Sequence, residues 1–436
     1  MFNISLINNS LTAIDGASGS LETIQQRILS ENKAQELGVE KIMLQDSGEW
    51  FFDVNTNNYQ HNSGKFFSIQ GFVSEDDQFP IIVQPEIGIL GFATHVFDGV
   101  LHFLVQLKNE PGNPNGLQLS PTVQATRSNY TQAHGGKKPD FLEYFLKRNR
   151  SSLVVADQYQ SEQGMRYYRK RNRNMIINIS DIPAHKNNYI WMTLGQIKAL
   201  SKIPMLLNSC ARSILSMIPM GDSNSKGVEG GYLGNHETFS KLLDLKSEII
   251  SNARIVPLAT LKNWGIINGQ ISRNDKDDFK FLGIKSSSTV REVSAWSQPL
   301  LEESGPGEYG LLLGSILGIP HIFWGIRNEP GLFDRVELGP SWINRSSQQE
   351  QSFLPYQLSL SGSLLNESWW AEEGGRFNQT NFHHKIIWIG GQKPQDIPPS
   401  LCPLTISQSD VFIKNGCSIT IEGRSLFNLL QREWFE

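Results

Sequence analysis

Cysteine is scarce: there are three in 436 residues, Cys210, Cys402 and Cys417, and no C-x-x-C pair. That scarcity excludes a disulfide framework and a zinc knuckle, and it fits a reducing, cytoplasmic setting. An excess of one charge is lacking too, with 39 Lys and Arg against 43 Asp and Glu and a net charge of −4. No global field draws such a chain to nucleic acid or to an anionic membrane, so any anion site has to be local. The N-terminus has no basic start followed by an apolar core and cleavage site, and no secretion signal is read there. The stretch 309–326 approaches the length of a membrane span, but Gly310, Gly314, Gly318, Pro320 and His321 interrupt it. A strand, a turn and a second strand describe it better.

Several chemical signatures are absent as well. There is no G-x-G-x-x-G after a strand, no G-x-x-x-x-G-K-[ST], no H-E-x-x-H and no G-x-S-x-G. His383 and His384 are adjacent, not one helical turn apart, which makes them a poor metal pair. With 39% hydrophobic and 10% aromatic residues, the chain nevertheless has material for two or three buried cores.

What the sequence does contain is an internal repeat. Trp50, Phe67, Gln84 and Pro85 return at one constant offset as Trp264, Phe281, Gln298 and Pro299. His102 and Asn109-Glu110-Pro111-Gly112 return as His321 and Asn328-Glu329-Pro330-Gly331. Glu162-Gln163-Gly164-Met165-Arg166-Tyr167 is matched by Glu372-Glu373-Gly374-Gly375-Arg376-Phe377, and Arg212-Ser213 by Arg424-Ser425. Four collinear blocks predict a duplicated α+β fold with copies over 1–220 and 236–436, joined by the glycine-rich segment 216–235. Each copy is expected to run through strands, a hairpin, the N-E-P-G turn, a helix, a strand and a terminal helix. Phe97-Asp98-Gly99-Val100 reads as the hairpin turn, Thr193 to Gln196 as a capping box, and 236–252 as the helix leading into the second copy.

The copies differ where chemistry can reside. The first carries Thr122, Gln124, Asn129 and Tyr130, then His134 before two glycines; the second has Pro340-Ser341-Trp342-Ile343. The first also has Arg166, Arg169, Lys170, Arg171 and Arg173 beside Tyr167, where the second has Gln379, Thr380, Asn381 and His383. Guanidinium forks bind phosphate oxygens and a tyrosine ring stacks on a base, so the cluster suits a nucleoside diphosphate; a solvated strand edge is the plainer alternative. Strand alternation puts Arg169, Arg171 and Arg173 on one face and Lys170 on the other. His134 suits a general base or a sugar contact, and Glu162 an acid or base. Glu110, kept in both copies before a proline, reads as the brace of a turn.

Ser120 to Tyr130, Gln160 to Asn174 and Thr193 to Gln196 resemble the NDP-4-keto-6-deoxyhexose 2,3-dehydratases, and the resemblance spans nearly the whole chain. It implies two tandem Nudix-like α/β sandwich modules without the metal-binding Nudix box. It also implies a homodimeric lyase with no metal or cofactor, which dehydrates dTDP-4-keto-6-deoxyglucose across C2 and C3. On the matched motifs, Tyr130, His134, Lys170 and Glu162 are assigned to catalysis. Arg166, Arg169 and Arg173, with Lys170, are assigned to the diphosphate and ketone oxygen, and Thr122, Gln124, Asn129 and Tyr167 to the sugar or base. The second copy departs from the family's P-T-V-Q element, so its site is expected to be structural or weakened, with Arg376 and Glu372 as an alternative active centre. Two rival readings are a non-catalytic nucleotide-sugar binder and a Nudix-like hydrolase.

Overall fold

The structure, a computed structural model, describes residues 3–35, 37–75, 77–130, 138–146, 152–220, 231–248, 253–288, 293–345 and 354–435, the side chains of 129, 130 and 152 excepted. It is an α+β fold in which the two halves carry sheets of the same strand order. In the N-terminal half a seven-stranded sheet runs Leu117–Ser120, Val100–Asn109, Gly88–Phe97, Arg171–Ile179, Ser152–Ser161. Val123–Ala125 also pairs with Gly88–Phe97, and Tyr189–Thr193 with Val100–Asn109. The C-terminal half runs Val336–Gly339, Ile319–Asn328, Gly307–Ile316, Asn381–Gln392, Ser363–Ala371. In both sheets the central pair is parallel.

Local chemistry accounts for these elements. Asp98 and Gly99 have φ of 47° and 79°, the two left-handed central residues of a tight hairpin turn, and Phe97 faces Val100 across it. Leu317 and Gly318, at 52° and 82°, repeat that turn, so 309–326 is strand, turn and strand. Thr193 and Thr405 each close a full capping box with the glutamine three residues on. The helix entering the C-terminal half spans Asn235–Glu248. Among the described residues no helix is long and apolar enough to cross a membrane.

The smaller sheets draw on both halves. Leu37–Ile42 adds antiparallel to Lys280–Ser288, and Arg254–Val256 adds antiparallel to Ser68–Val73. Beneath them Trp50, Tyr59 and Phe67 share one core with Trp264, Phe281 and Phe377. Arg212 and Arg424, both almost fully buried, cross reciprocally. Arg212 donates to Ser425 Oγ at 3.0 Å and Ala371 O at 3.0 Å, and Arg424 to Ser213 Oγ at 2.9 Å and Ser161 O at 2.6 Å.

Each N-E-P-G turn docks on the E-x-G-x-R turn of the opposite half. Gly112 N donates to Gly374 O at 2.8 Å, and Gly331 N donates to Gly164 O at 2.7 Å. A Cβ on Gly112 would stand 1.7 Å from Phe377 O, and one on Gly331 would stand 1.9 Å from Tyr167 O. Gly112→Ala is therefore expected to destabilise the protein by about 3 kcal/mol, since backbone atoms, not a pliable side chain, are in the way. Gly99→Ala, with open space but left-handed φ, should cost about 1 kcal/mol. Denaturant unfolding of the two variants checks this; a smaller loss for Gly112→Ala would mean the turns do not hold the halves together.

Candidate functional site

A cavity of about 670 Å³ lies against the N-terminal half's sheets and is completed by the turn around Glu373 to Arg376 from the other half. Glu162 follows the strand Ser152–Ser161 and Lys170 precedes Arg171–Ile179; Glu162 N bonds Lys170 O at 3.1 Å, which sets the two side by side. Asn172, on that second strand, donates to Glu162 Oε1 at 2.6 Å, and its own Oδ1 accepts from Gly88 N at 3.0 Å. Lys170 Nζ donates to the carbonyl of Glu86. Burial brings Lys170 down to about 8 against the pull of Glu162 and Glu86. Burial raises Glu162, opposed chiefly by Lys170. The Glu86 carboxylate accepts from Ser128 N at 2.8 Å and Ser128 Oγ at 2.9 Å, pinning the short helix Arg127–Tyr130 to the same wall.

A second group of charges faces this pair. Lys108 Nζ sits 2.8 Å from Glu110 Oε1. Gln124 Nε2 reaches Glu373 Oε1 at 3.0 Å and Glu110 Oε1 at 3.5 Å, so one amide spans two carboxylates. Arg376 crosses from the C-terminal half to lie over the Phe67 ring at 4.4 Å, and its Nε has no hydrogen-bond partner. Phe66 and Trp296, both half-buried, also line the cavity. The result is a cavity in which burial lowers a lysine and raises carboxyls, flanked by cations and aromatic surface, which suits proton transfer on an anionic, ring-bearing ligand.

The expected basic cluster does not converge. Lys170, Glu162, Gln124 and Tyr167 line the cavity. Arg166 turns instead to the C-terminal half, gripping Glu303 at 2.7 and 2.9 Å over the Phe279 ring. Arg169, at φ 51°, lies over Tyr168 and Phe333, and Arg173 pairs with Asp157 on the neighbouring strand. Thr122 is buried with its hydroxyl spent on backbone, donating to Leu104 O and accepting from Ala93 N at 2.9 Å. His134 and the side chains of Asn129 and Tyr130 lie outside the described residues. Glu110 does more than brace a turn, since it lines the cavity in its pair with Lys108. Lys108 and Glu373 carry no motif; for Glu373 the repeat itself held a signal, because its counterpart is Gln163.

At three counterpart positions of the C-terminal half the side chains are larger. Leu90 is replaced by Tyr309, Asn172 by Phe382 and Thr126 by Arg345, all buried, with Tyr309 stacked on Phe382 at 4.3 Å. Cys210 becomes Glu422 and Lys170 becomes Thr380, so the cation there is Arg345, set near Glu303, Glu422 and Glu329. Glu372, the counterpart of Glu162, is capped by Gln163 Nε2 at 2.6 Å.

A family model described as NDP-hexose 2,3-dehydratase matches residues 21–218 and again 236–430. Among curated proteins, a dTDP-4-dehydro-6-deoxy-alpha-D-glucopyranose 2,3-dehydratase of Amycolatopsis orientalis is 35% identical, over 96% of this chain and 91% of its own length. Proteins of the same name from Saccharopolyspora spinosa and Streptomyces violaceoruber are 33% and 32% identical, over 97% and 90% of this chain and 94% and 93% of their own lengths. A double match over both halves, and relatives alike from end to end, make this chain a member of the NDP-hexose 2,3-dehydratase family.

Proposed function

We propose that the cavity binds dTDP-4-keto-6-deoxyglucose and removes water across C2 and C3, giving a 3,4-diketo-2,6-dideoxy sugar nucleotide. The observation that carries this reading is that Glu162 and Lys170 share one enclosure with Glu110, Glu373, Lys108 and Arg376. The reaction needs a base for the C3 hydrogen, which the C4 ketone already acidifies, a donor for the enolate oxygen, and an acid for the departing hydroxyl. In this reading Glu162 takes the C3 hydrogen and Lys170, mostly protonated at neutral pH, faces the C4 oxygen. Lys108 and Arg376 meet the diphosphate, and Phe66 or Trp296 stacks on the base. Loss of the C2 hydroxyl leaves an enol that tautomerises to the diketone.

The names of the three relatives support both reaction and substrate. On the resemblance alone, Tyr130 and His134 take part in proton transfer, and each repeat, 1–220 and 236–436, is a Nudix-like sandwich, with catalysis in the first. The same resemblance supports a cytoplasmic homodimer that needs no cofactor. Incubation with dTDP-4-keto-6-deoxyglucose is expected to yield a product lighter by one water in mass spectrometry. Binding without water loss would favour a nucleotide-sugar binder, and cleavage of the diphosphate a hydrolase.

A further inference from the structure

The turns that dock across the halves each carry one side chain into the opposite half, and the two side chains differ. From the N-terminal half it is Gln163, which caps the buried Glu372 at 2.6 Å. From the C-terminal half it is Glu373, at the counterpart position, which meets the Gln124 amide at 3.0 Å inside the cavity. The backbone is the same in both turns: Arg166 N and Tyr167 N bond Gln163 O at 3.0 and 2.9 Å, while Arg376 N and Phe377 N bond Glu373 O, both at 3.0 Å. An amide thus satisfies the turn as well as an acid does. A carboxyl stands where the cavity is open, and an amide where the counterpart positions are filled.

We propose, resting on the dehydratase reading, that Glu373 is a catalytic residue supplied by the C-terminal half: its carboxyl protonates the departing C2 hydroxyl. Glu110 is the neighbour that favours a proton there: its Oε1, 2.8 Å from Lys108 Nζ, lies beside Glu373, and the Gln124 amide bridges the two acids. The groups facing Glu373 are Glu110, Arg376, Lys108 and Glu162; burial and then Glu110 push it up to about 7 against Arg376 and Lys108. Glu162 first draws the proton from C3 to leave the enolate; the enolate's electrons then form the C2=C3 bond as the C2–O bond breaks and its electron pair leaves with the oxygen. The Glu373 proton goes to that oxygen to complete a water molecule. In the tautomerisation C2 gains a proton from Glu162 and the C3 hydroxyl returns one to Glu373, so both groups end as they began.

The test is Glu373→Gln, a substitution that its counterpart turn already accommodates, assayed in D2O with dTDP-4-keto-6-deoxyglucose. Water loss is expected to fall by about 10² to 10⁴-fold. Deuterium should still enter C3 of recovered substrate, because proton abstraction there does not use Glu373, and dTDP affinity should hold. The wild-type rate should decline as pH rises through about 7, and Glu110→Gln should move that decline to lower pH by removing the neighbouring negative charge. Water loss by Glu373→Gln at the wild-type rate overturns the proposal. So does a parallel loss of C3 exchange with dTDP binding intact, which would place Glu373 at the abstraction step. Wild-type protein that neither exchanges C3 nor loses water overturns the dehydratase reading itself.

Discussion

Lys170→Met is expected to lower kcat by about two to three orders of magnitude, with dTDP affinity little changed. The ammonium is almost completely buried and anchored on the Glu86 carbonyl, so in the dehydratase reading it is a preorganised charge for the enolate oxygen that costs no reorganisation during the reaction. Methionine keeps the bulk and removes the charge. Steady-state kinetics with separate kcat and KM checks this; a change confined to KM would assign Lys170 to uniform binding instead. A second effect follows from Glu162, which loses its main opposing cation and stays buried. A carboxyl whose pKa is raised by folding stabilises fully only below its unfolded value of about 4.3, and that contribution is lost as pH rises through the folded value. The drop in Tm relative to wild type should therefore be larger at about pH 8 than at about pH 6. Equal drops would mean that the lysine neutralises some other group.

Residues 1–220 expressed alone are expected not to fold. Their smaller sheet would lose Arg254–Val256, and Leu37–Ile42 would have no Lys280–Ser288 to join. Trp50, Tyr59 and Phe67 would lose the aromatic partners with which they form one core. Arg212 would remain with a buried guanidinium whose bonds to Ser425 and Ala371 are gone, the situation in which an unsatisfied charge is most costly. Circular dichroism and amide dispersion in an NMR spectrum measure the outcome. A cooperative melt by the isolated half would show that the exchange between halves is ornamental.

Local features were legible in the sequence because their causes are local. Asp98-Gly99 announces a hairpin turn, Thr193 with Gln196 a capping box, and the collinear blocks a repeated strand order. The basic run from Arg166 to Arg173 was misleading because proximity in the chain is not convergence in space. A turn and a left-handed residue at Arg169 send its arginines to Glu303, Phe333 and Asp157, and only Lys170 points inward. Glu373 was hidden for the opposite reason: it meets the N-terminal residues only after the halves have interlocked, and the repeat, which sets it against Gln163, held only a trace of it. Arg376 stood in the sequence as part of an alternative centre, not as a partner of the first half's residues, and Lys108, within the N-terminal half, carries no motif. Thr122 shows a further limit, since a hydroxyl among polar neighbours is as ready to satisfy buried backbone as to bind a ligand.

The docking of the Glu372 to Phe377 turn bears on how freely the C-terminal half can change. Its own counterpart positions are packed with Tyr309, Phe382 and Arg345, which by themselves would leave that half under no chemical constraint. Yet the turn it lends lies in the wall of the N-terminal half's cavity, beside Gln124 and Phe67. In the dehydratase reading, selection for the chemistry of this cavity thus polices six residues of the other half, which cannot drift even where its own counterpart positions are filled.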